Sequence, residues 1–131
     1  MIPTPSAIGL TICDQILIEE GTRRISLIGV SGAIRLSDFP AVAPPFGVFS
    51  VLTGGRGDGT LALTITQVET DEEIYRWQHA IRFADRLANV HVVFRIRGCR
   101  FPAPGLYLVT LLVDSEWVAQ RRIRIIAEDE T

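Results

Sequence analysis

The stretch "FPAPGLYLVTLLVDSEWVAQRRIRI", residues 101–125, decides the fold, because two strand-forming segments flank a short polar turn. Aliphatic and β-branched residues dominate both segments, and Asp114-Ser115-Glu116 separates them, which is typical of a β-hairpin. Alternation with a period of two places four apolar side chains of the first segment on one face: Tyr107, Val109, Leu111 and Val113. We predict that this face is buried and that the Tyr107 hydroxyl bonds to nearby backbone.

Similar short apolar runs, separated by turn residues, fill the chain before this hairpin. Residues 46–52, 60–68 and 90–97 have strand composition. Alternation in the last two runs predicts inward-facing side chains at Leu61, Leu63, Ile65, Val90, Val92, Phe94 and Ile96. We predict one all-β domain over residues 1–131, a two-sheet antiparallel sandwich of about seven to nine strands, with residues 126–131 as a frayed tail.

Three connections are defined by their turn residues. The Pro-rich segment 35–45 cannot be a central strand, and residues 81–90 favour a loop or one helical turn. The glycine-rich residues 54–59 predict a hairpin connection with Arg56 at its exposed tip. That connection contains Arg56-Gly57-Asp58, which is a cell-adhesion signal in extracellular matrix proteins. Because the N-terminus has no signal-peptide pattern, we expect no integrin-type adhesion through this tripeptide.

The charge balance excludes some classes of partner. The formal net charge is -2, which disfavours a non-specific nucleic-acid binder, and all 13 basic residues are Arg. The absence of Lys removes Schiff-base chemistry. No apolar run approaches the ~20 residues of a membrane helix. We therefore expect a cytoplasmic protein with Cys13 and Cys99 reduced, and with no nucleic-acid or membrane partner.

The ending of the chain resembles the last two strands of an immunoglobulin- or fibronectin-III-like sandwich, in which a Pro-Gly turn leads into a strand that carries a Tyr. More of the chain resembles a family of small uncharacterised bacterial proteins. The stretches that carry this second resemblance are "LTICDQILIEEGTRRISLIGV", "FGVFSVLTGGRGDGTLAL", "ETDEEIYR" and "FPAPGLYLVTLLVD". The resemblance implies a β-sandwich, and it implies no activity and no functional residues.

Catalytic and metal-binding patterns are weak. The soft ligands are Cys13, His79, His91 and Cys99, and no two of them have the close spacing of a zinc site. His91 and Cys99 are too far apart along an extended segment to act as a nucleophile and base. There is also no G-x-S-x-G elbow. We predict no catalytic residues, no metal and no cofactor, and keep a cysteine- or metal-dependent enzyme as the third hypothesis. Whether Cys13 and Cys99 are close in space stays open.

The second face of the strand that follows Gly105 carries an apolar excess. If Tyr107 faces inward, then Leu106, Leu108 and Leu112 face outward. Three outward leucines need cover from a loop, from residues 35–45 or from another protein molecule. Trp117 begins the neighbouring strand and suits an interface, whereas we expect Trp77 to pack in the core. The preferred hypothesis is therefore a non-enzymatic protein-binding or assembly module, with a homo-oligomer as one version.

Two groups of arginines supply the alternative hypothesis, a small-ligand or anion-binding module. Arg95 and Arg97 belong to one group, and Arg122 and Arg124 to the other. Guanidinium groups suit phosphate and carboxylate. Because an immunoglobulin-like topology places these two strands in opposite sheets, we expect the two groups to face away from each other and not to form one groove.

Overall fold

The computed structural model describes residues 4–85 and 87–128, and this part of the chain is all-β, with twelve strands and no helix. The strands are β1 (Ser6–Cys13), β2 (Gln15–Ile18), β3 (Ile25–Ile28), β4 (Ala33–Leu36), β5 (Ala41–Val42), β6 (Phe46–Thr53), β7 (Gly57–Gln67), β8 (Glu72–Phe83), β9 (Val90–Ile96), β10 (Arg100–Phe101), β11 (Gly105–Val113) and β12 (Glu116–Ala127). The prediction of seven to nine strands was too low, because short strands such as β4, β5 and β10 carry no alternation that a sequence pattern can detect.

The predicted final hairpin forms the centre of the largest sheet. Its strand order is β4-β12-β11-β7-β8. The hairpin turn is Asp114-Ser115, and both residues have positive φ, 50° and 68°, as a two-residue turn matched to strand twist requires. The Asp114 carboxylate also accepts a hydrogen bond from the Thr60 backbone N–H at 2.9 Å. This contact fixes the turn against the neighbouring strand β7.

One strand pair in this sheet is parallel, which corrects the expectation of an antiparallel fold. β4 lies beside β12 with Arg124 aligned to Ala33 and Ala127 aligned to Leu36. Residues 35 and 36 therefore belong to an edge strand, and residues 41 and 42 pair with β10, so the segment 35–45 is not purely a connection. A parallel partner so distant in sequence leaves no local signal, since no tight turn joins the two strands.

The second sheet has the order β1-β6-β9, and the hairpin β2-β3 forms a separate pair. Because β6 and β7 belong to different sheets, residues 54–59 are not a hairpin connection as predicted. The chain crosses between sheets there, and β7 already begins at Gly57. A Cβ atom on Gly55 would lie 2.7 Å from the Phe83 ring, so a residue without a side chain is needed at this crossing. Glycine-rich turns look alike in both kinds of connection.

The ends of two long strands also differ from expectation. β8 continues to Phe83, so residues 81–83 form strand and not a helical turn, and Arg86 lies outside the described residues. β12 includes residues 126 and 127, which the sequence analysis assigned to the tail, while residues 129–131 lie outside the described part of the chain.

Buried side chains of the two larger sheets form one hydrophobic cluster. The inward residues predicted on β7, β9 and β11 belong to it, with Val90 half-buried at its margin. Tyr107 is 0% exposed, and its hydroxyl donates a hydrogen bond to the Ala103 carbonyl at 2.7 Å. The Phe101 ring meets the Tyr107 ring edge-on at 5.0 Å. The expected bond from the hydroxyl to nearby backbone is confirmed, and it anchors the turn that precedes β11.

We expect Tyr107→Phe to lower the free energy of unfolding by about 1–2 kcal/mol, because the part-buried Ala103 carbonyl loses its hydrogen-bond donor. Urea titration followed by tryptophan fluorescence measures the change. Tyr75→Phe is the matched control, since that ring is only half-buried. Equal effects of the two substitutions would contradict the anchoring role.

Candidate functional site

The residues predicted to bind a partner lie on the outer face of the five-stranded sheet, turned away from the hydrophobic cluster. Leu106, Leu108 and Leu112 are half-buried, and Trp117 is 59% exposed. Trp117 lies directly across from Leu112 in the β11-β12 ladder. Directly opposed residues share a face, so the indole stands beside the Leu112 side chain at the hairpin end of the sheet.

Two of the predicted anion-binding arginines share this face. Arg122 is opposite Leu108 and Arg124 is opposite Leu106 in the same ladder, and both arginines are exposed. From the sequence alone, the leucines and these arginines are candidates for two competing sites. The structure joins them in one surface, which we name the leucine–arginine face: Leu106, Leu108, Leu112, Trp117, Arg122 and Arg124.

The middle of this face consists of small and polar side chains. Thr64, Thr110 and Ala62 are buried there, and the Gln120 side-chain amide donates a hydrogen bond to the Thr110 hydroxyl at 3.0 Å. Leu106, Leu108 and Leu112 are only half-exposed although they face away from the hydrophobic cluster. The remaining exposure lies at the edges of the face, above all at Trp117.

Positive charge dominates the β12 side of the leucine–arginine face. Arg35 lies beside Ile126 in the parallel pair and extends the row formed by Arg122 and Arg124. None of these three arginines forms a salt bridge with another residue of the described ranges 4–85 and 87–128. The two salt bridges that the structure shows, Arg76–Glu73 at 2.8 Å and Arg82–Asp58 at 3.8 Å, lie on the β7-β8 side.

Arg95 and Arg97 lie elsewhere, as expected from their strand. β9 belongs to the three-stranded sheet, and the Arg95 guanidinium donates a hydrogen bond to the Ile16 carbonyl at 3.1 Å. Arg95 thereby holds the hairpin β2-β3. With Arg97 and Asp14 it lines a cleft of about 180 Å³. The four arginines of the anion hypothesis therefore do not form one site.

The outer side of the three-stranded sheet carries an apolar surface that was not predicted from the sequence. Ile8 is 59% exposed, and its neighbour Val51 and the cross-strand pair Phe49 and Val93 are half-buried. Residues 46–52 contain apolar side chains at both odd and even positions, as β11 does. That two-sided apolar pattern is the sequence feature from which this surface could have been predicted.

Both histidines border one cleft at the open side between β8 and β9. His79 and His91 line a volume of about 260 Å³ together with apolar residues that include Ile18 and Ile81. Trp77 lies beside this cleft, and its ring meets the Phe94 ring edge-on with the two ring centroids 5.1 Å apart. Trp77 thus contacts a core residue, but 37% of it is exposed, so the expectation that it packs in the core was wrong.

Both cysteines are free thiols in buried places. Burial raises the pKa of the Cys99 thiol to about 12. Burial, and then the charge of Asp14, raise the pKa of Cys13. A nucleophilic or metal-binding cysteine needs its thiolate, so neither site suits that chemistry at neutral pH. Within residues 4–85 and 87–128 there is also no cluster of three or more His, Cys, Asp or Glu that could hold a metal ion. No helix in those ranges is long and apolar enough to cross a membrane.

The raised pKa of Cys99 predicts a loss of stability in alkali. The ordinary pKa of the thiol is 9.0 and its pKa in the folded protein is about 12. The contribution of the neutral Cys99 thiol to the free energy of unfolding is therefore complete below pH 9 and is lost as the pH rises toward 12. One such group contributes a slope of about 1.4 kcal/mol per pH unit in that window. Urea unfolding at several pH values should show a shallower slope for Cys99→Ala than for the wild type, and identical slopes would refute the assignment.

Several solved structures resemble this chain distantly. The alkylpurine DNA glycosylase AlkC of Pseudomonas fluorescens, bound to DNA containing an abasic site analog, has a TM-score of 0.48 at 13% identity; the match covers 90% of this chain and 30% of that one. A β-glucosidase of Listeria innocua in complex with glucose has a TM-score of 0.49 at 11% identity, with coverage of 93% and 16%. The CARDB domain of a Pyrococcus furiosus protein, in complex with di-metal ions, has a TM-score of 0.43 at 12% identity, with coverage of 94% and 90%.

This chain thus spans less than a third of the length of the first two of these proteins. A search of the curated proteins finds no match. The sequence pattern of one family matches residues 9–126, which include every residue of the leucine–arginine face. The chain therefore belongs to DUF6941, a family of unknown function.

Proposed function

We propose that this protein is a non-enzymatic binding module that docks another protein on its leucine–arginine face. The observation that carries the proposal is the meeting of an exposed tryptophan, half-buried leucines and two exposed arginines on one sheet face. Tryptophan and arginine are the side chains most enriched where protein interfaces concentrate their binding energy.

The charges on the face indicate the chemistry of the partner. Arg35, Arg122 and Arg124 form a basic row beside the leucines, with no acidic partner in the described ranges. A complementary surface would present apolar side chains flanked by carboxylates, since matched potentials favour encounter and register. We therefore infer an acidic partner protein with an apolar centre.

The proposal extends to the fold and its compartment. We infer an immunoglobulin- or fibronectin-III-like sandwich, and the buried Tyr107 that bonds to Ala103 supports this by its likeness to the tyrosine corner of that class. We further infer a cytoplasmic location, because the free thiols of Cys13 and Cys99 suit a reducing compartment.

Trp117→Ala should weaken partner binding by about 30-fold, because the substitution removes a hot-spot side chain of the interface. The double substitution Arg122→Glu/Arg124→Glu should replace attraction to the acidic partner by repulsion, so that added salt no longer weakens the binding. Tagged protein cross-linked in its native host, followed by quantitative mass spectrometry, identifies the partner, and titration of the purified partner measures the affinity.

Val42→Ala and Arg100→Glu are matched controls, because both residues are exposed on the small β5-β10 pair and lie outside the face. Reduced recovery of the partner with Trp117→Ala and full recovery with the controls supports the proposal. Equal recovery of the partner with every variant would contradict it.

A second candidate, binding of a small anion, is favoured by the cleft that Arg95 and Arg97 line. Asp14 in the same cleft opposes an anion, so we expect only weak binding. Calorimetric titration with phosphate and with acetate measures it, and Arg97→Ala should remove any heat of binding. Binding that persists in this variant would place the anion elsewhere.

A further inference from the structure

The outer edge of β8 is an unpaired strand edge of unusual length. β8 is the last strand of its sheet among the described strands, and its twelve residues pair with β7 only along the other edge. Such an edge presents a row of free backbone N–H and C=O groups to solvent. These groups are the chemistry that recognises another extended backbone.

The middle of β8 has little of the protection that a sheet edge usually carries, since Arg76 is the one Arg, Lys, Asp or Glu among residues 76–80. Five consecutive residues, 76–80, are exposed on both faces of the strand. Native edges are commonly protected by lysine, proline or a bulge. Here the strand contains no Lys or Pro, and its one register shift lies near the start, at Ile74. Ile, Tyr, Trp and Phe give β8 a high strand propensity.

We propose that β8 pairs antiparallel with β8 of a second copy of this chain, about a two-fold axis that passes beside Gln78. The pairing joins the two five-stranded sheets into one continuous sheet of ten strands. The inference goes beyond the proposed function, because it uses the sheet edge and not the leucine–arginine face. It holds whether or not that face binds another protein.

The charges of β8 complement themselves in this register. Arg82 lies four ladder positions from Gln78. Glu73 lies five residues from Gln78 in the other direction. Because Ile74 is the extra residue of a bulge, Glu73 is also four ladder positions from Gln78. Arg82 of one copy is therefore directly opposite Glu73 of the second copy, and both pairs occur by symmetry. Both side chains face outward, since their β7 partners Asp58 and Thr66 do.

The aromatic side chains fit the same register. Trp77 of one copy lies opposite His79 of the second copy on the inner side, and Arg76 lies opposite the short side chain of Ala80 on the outer side. Trp77 and His79 are already neighbours within one copy, with ring centroids 4.4 Å apart. Pairing therefore places the Trp77 and His79 rings of both copies in one row on the inner side of the joined sheet.

A charge exchange tests the register directly. Arg82→Glu alone and Glu73→Arg alone each place like charges opposite each other at two symmetric positions. We expect each to raise the dimer dissociation constant about 10-fold at low salt, and the double exchange Glu73→Arg/Arg82→Glu to restore it. Within one copy the two residues are about 27 Å apart along the strand, so rescue can come only from the second copy. Sedimentation velocity from about 1 μM to about 1 mM measures the constants.

A cross-link provides an independent test. Residues opposed on the two-fold axis have Cα atoms about 4.5–5.5 Å apart, within disulfide range. Gln78→Cys should form a covalent dimer under a mild oxidant, while Gln120→Cys, exposed on β12 of the same sheet, should stay monomeric. The native thiols are buried and do not compete. A protein that is monomeric at about 1 mM, a dimer insensitive to the single exchanges, or equal cross-linking of both variants would each overturn the proposal.

Discussion

Strand β11 is the constraint on which the rest of the structure depends. It is paired along both edges, with β12 and with β7, so every backbone group of its centre is used inside the sheet. Its alternation then assigns each side chain to a face. Tyr107 and its odd-numbered neighbours have to enter the core, and the leucines between them have to face outward. The hydrophobic cluster and the leucine–arginine face are thus two consequences of one strand.

The binding surface follows from that strand and from its hairpin partner. The turn Asp114-Ser115 places Leu112 opposite Trp117, and a bulge at Val118 then shifts the register by one residue, so that Leu108 lies opposite Arg122. A register shifted by one residue would place the arginines in the core, where an unpaired charge is too costly. The same register therefore keeps the fold stable and gathers tryptophan, leucine and arginine on one face.

Local patterns predicted much of the fold and part of the candidate site. The final hairpin, the buried faces of β7, β9 and β11, the Tyr107 bond and the separation of Arg95 from Arg122 all follow from alternation, turn residues or class topology, and the structure confirms each of them. The prediction of a hairpin at residues 54–59 was wrong, and the parallel β4-β12 pair was not predicted. Neither the crossing between sheets nor the parallel pairing leaves a pattern within one segment of the sequence.

The sequence by itself determined which side chains share a face of each long strand, because the period of an extended backbone is two wherever the strand lies. Only the tertiary structure decided which strands are neighbours. That choice merged Leu106 and Arg124 into one surface, sent Arg95 to the other sheet, and left β8 at a free edge. Strand neighbours are chosen by the packing of the whole core, in which residues far apart in the chain are buried against one another.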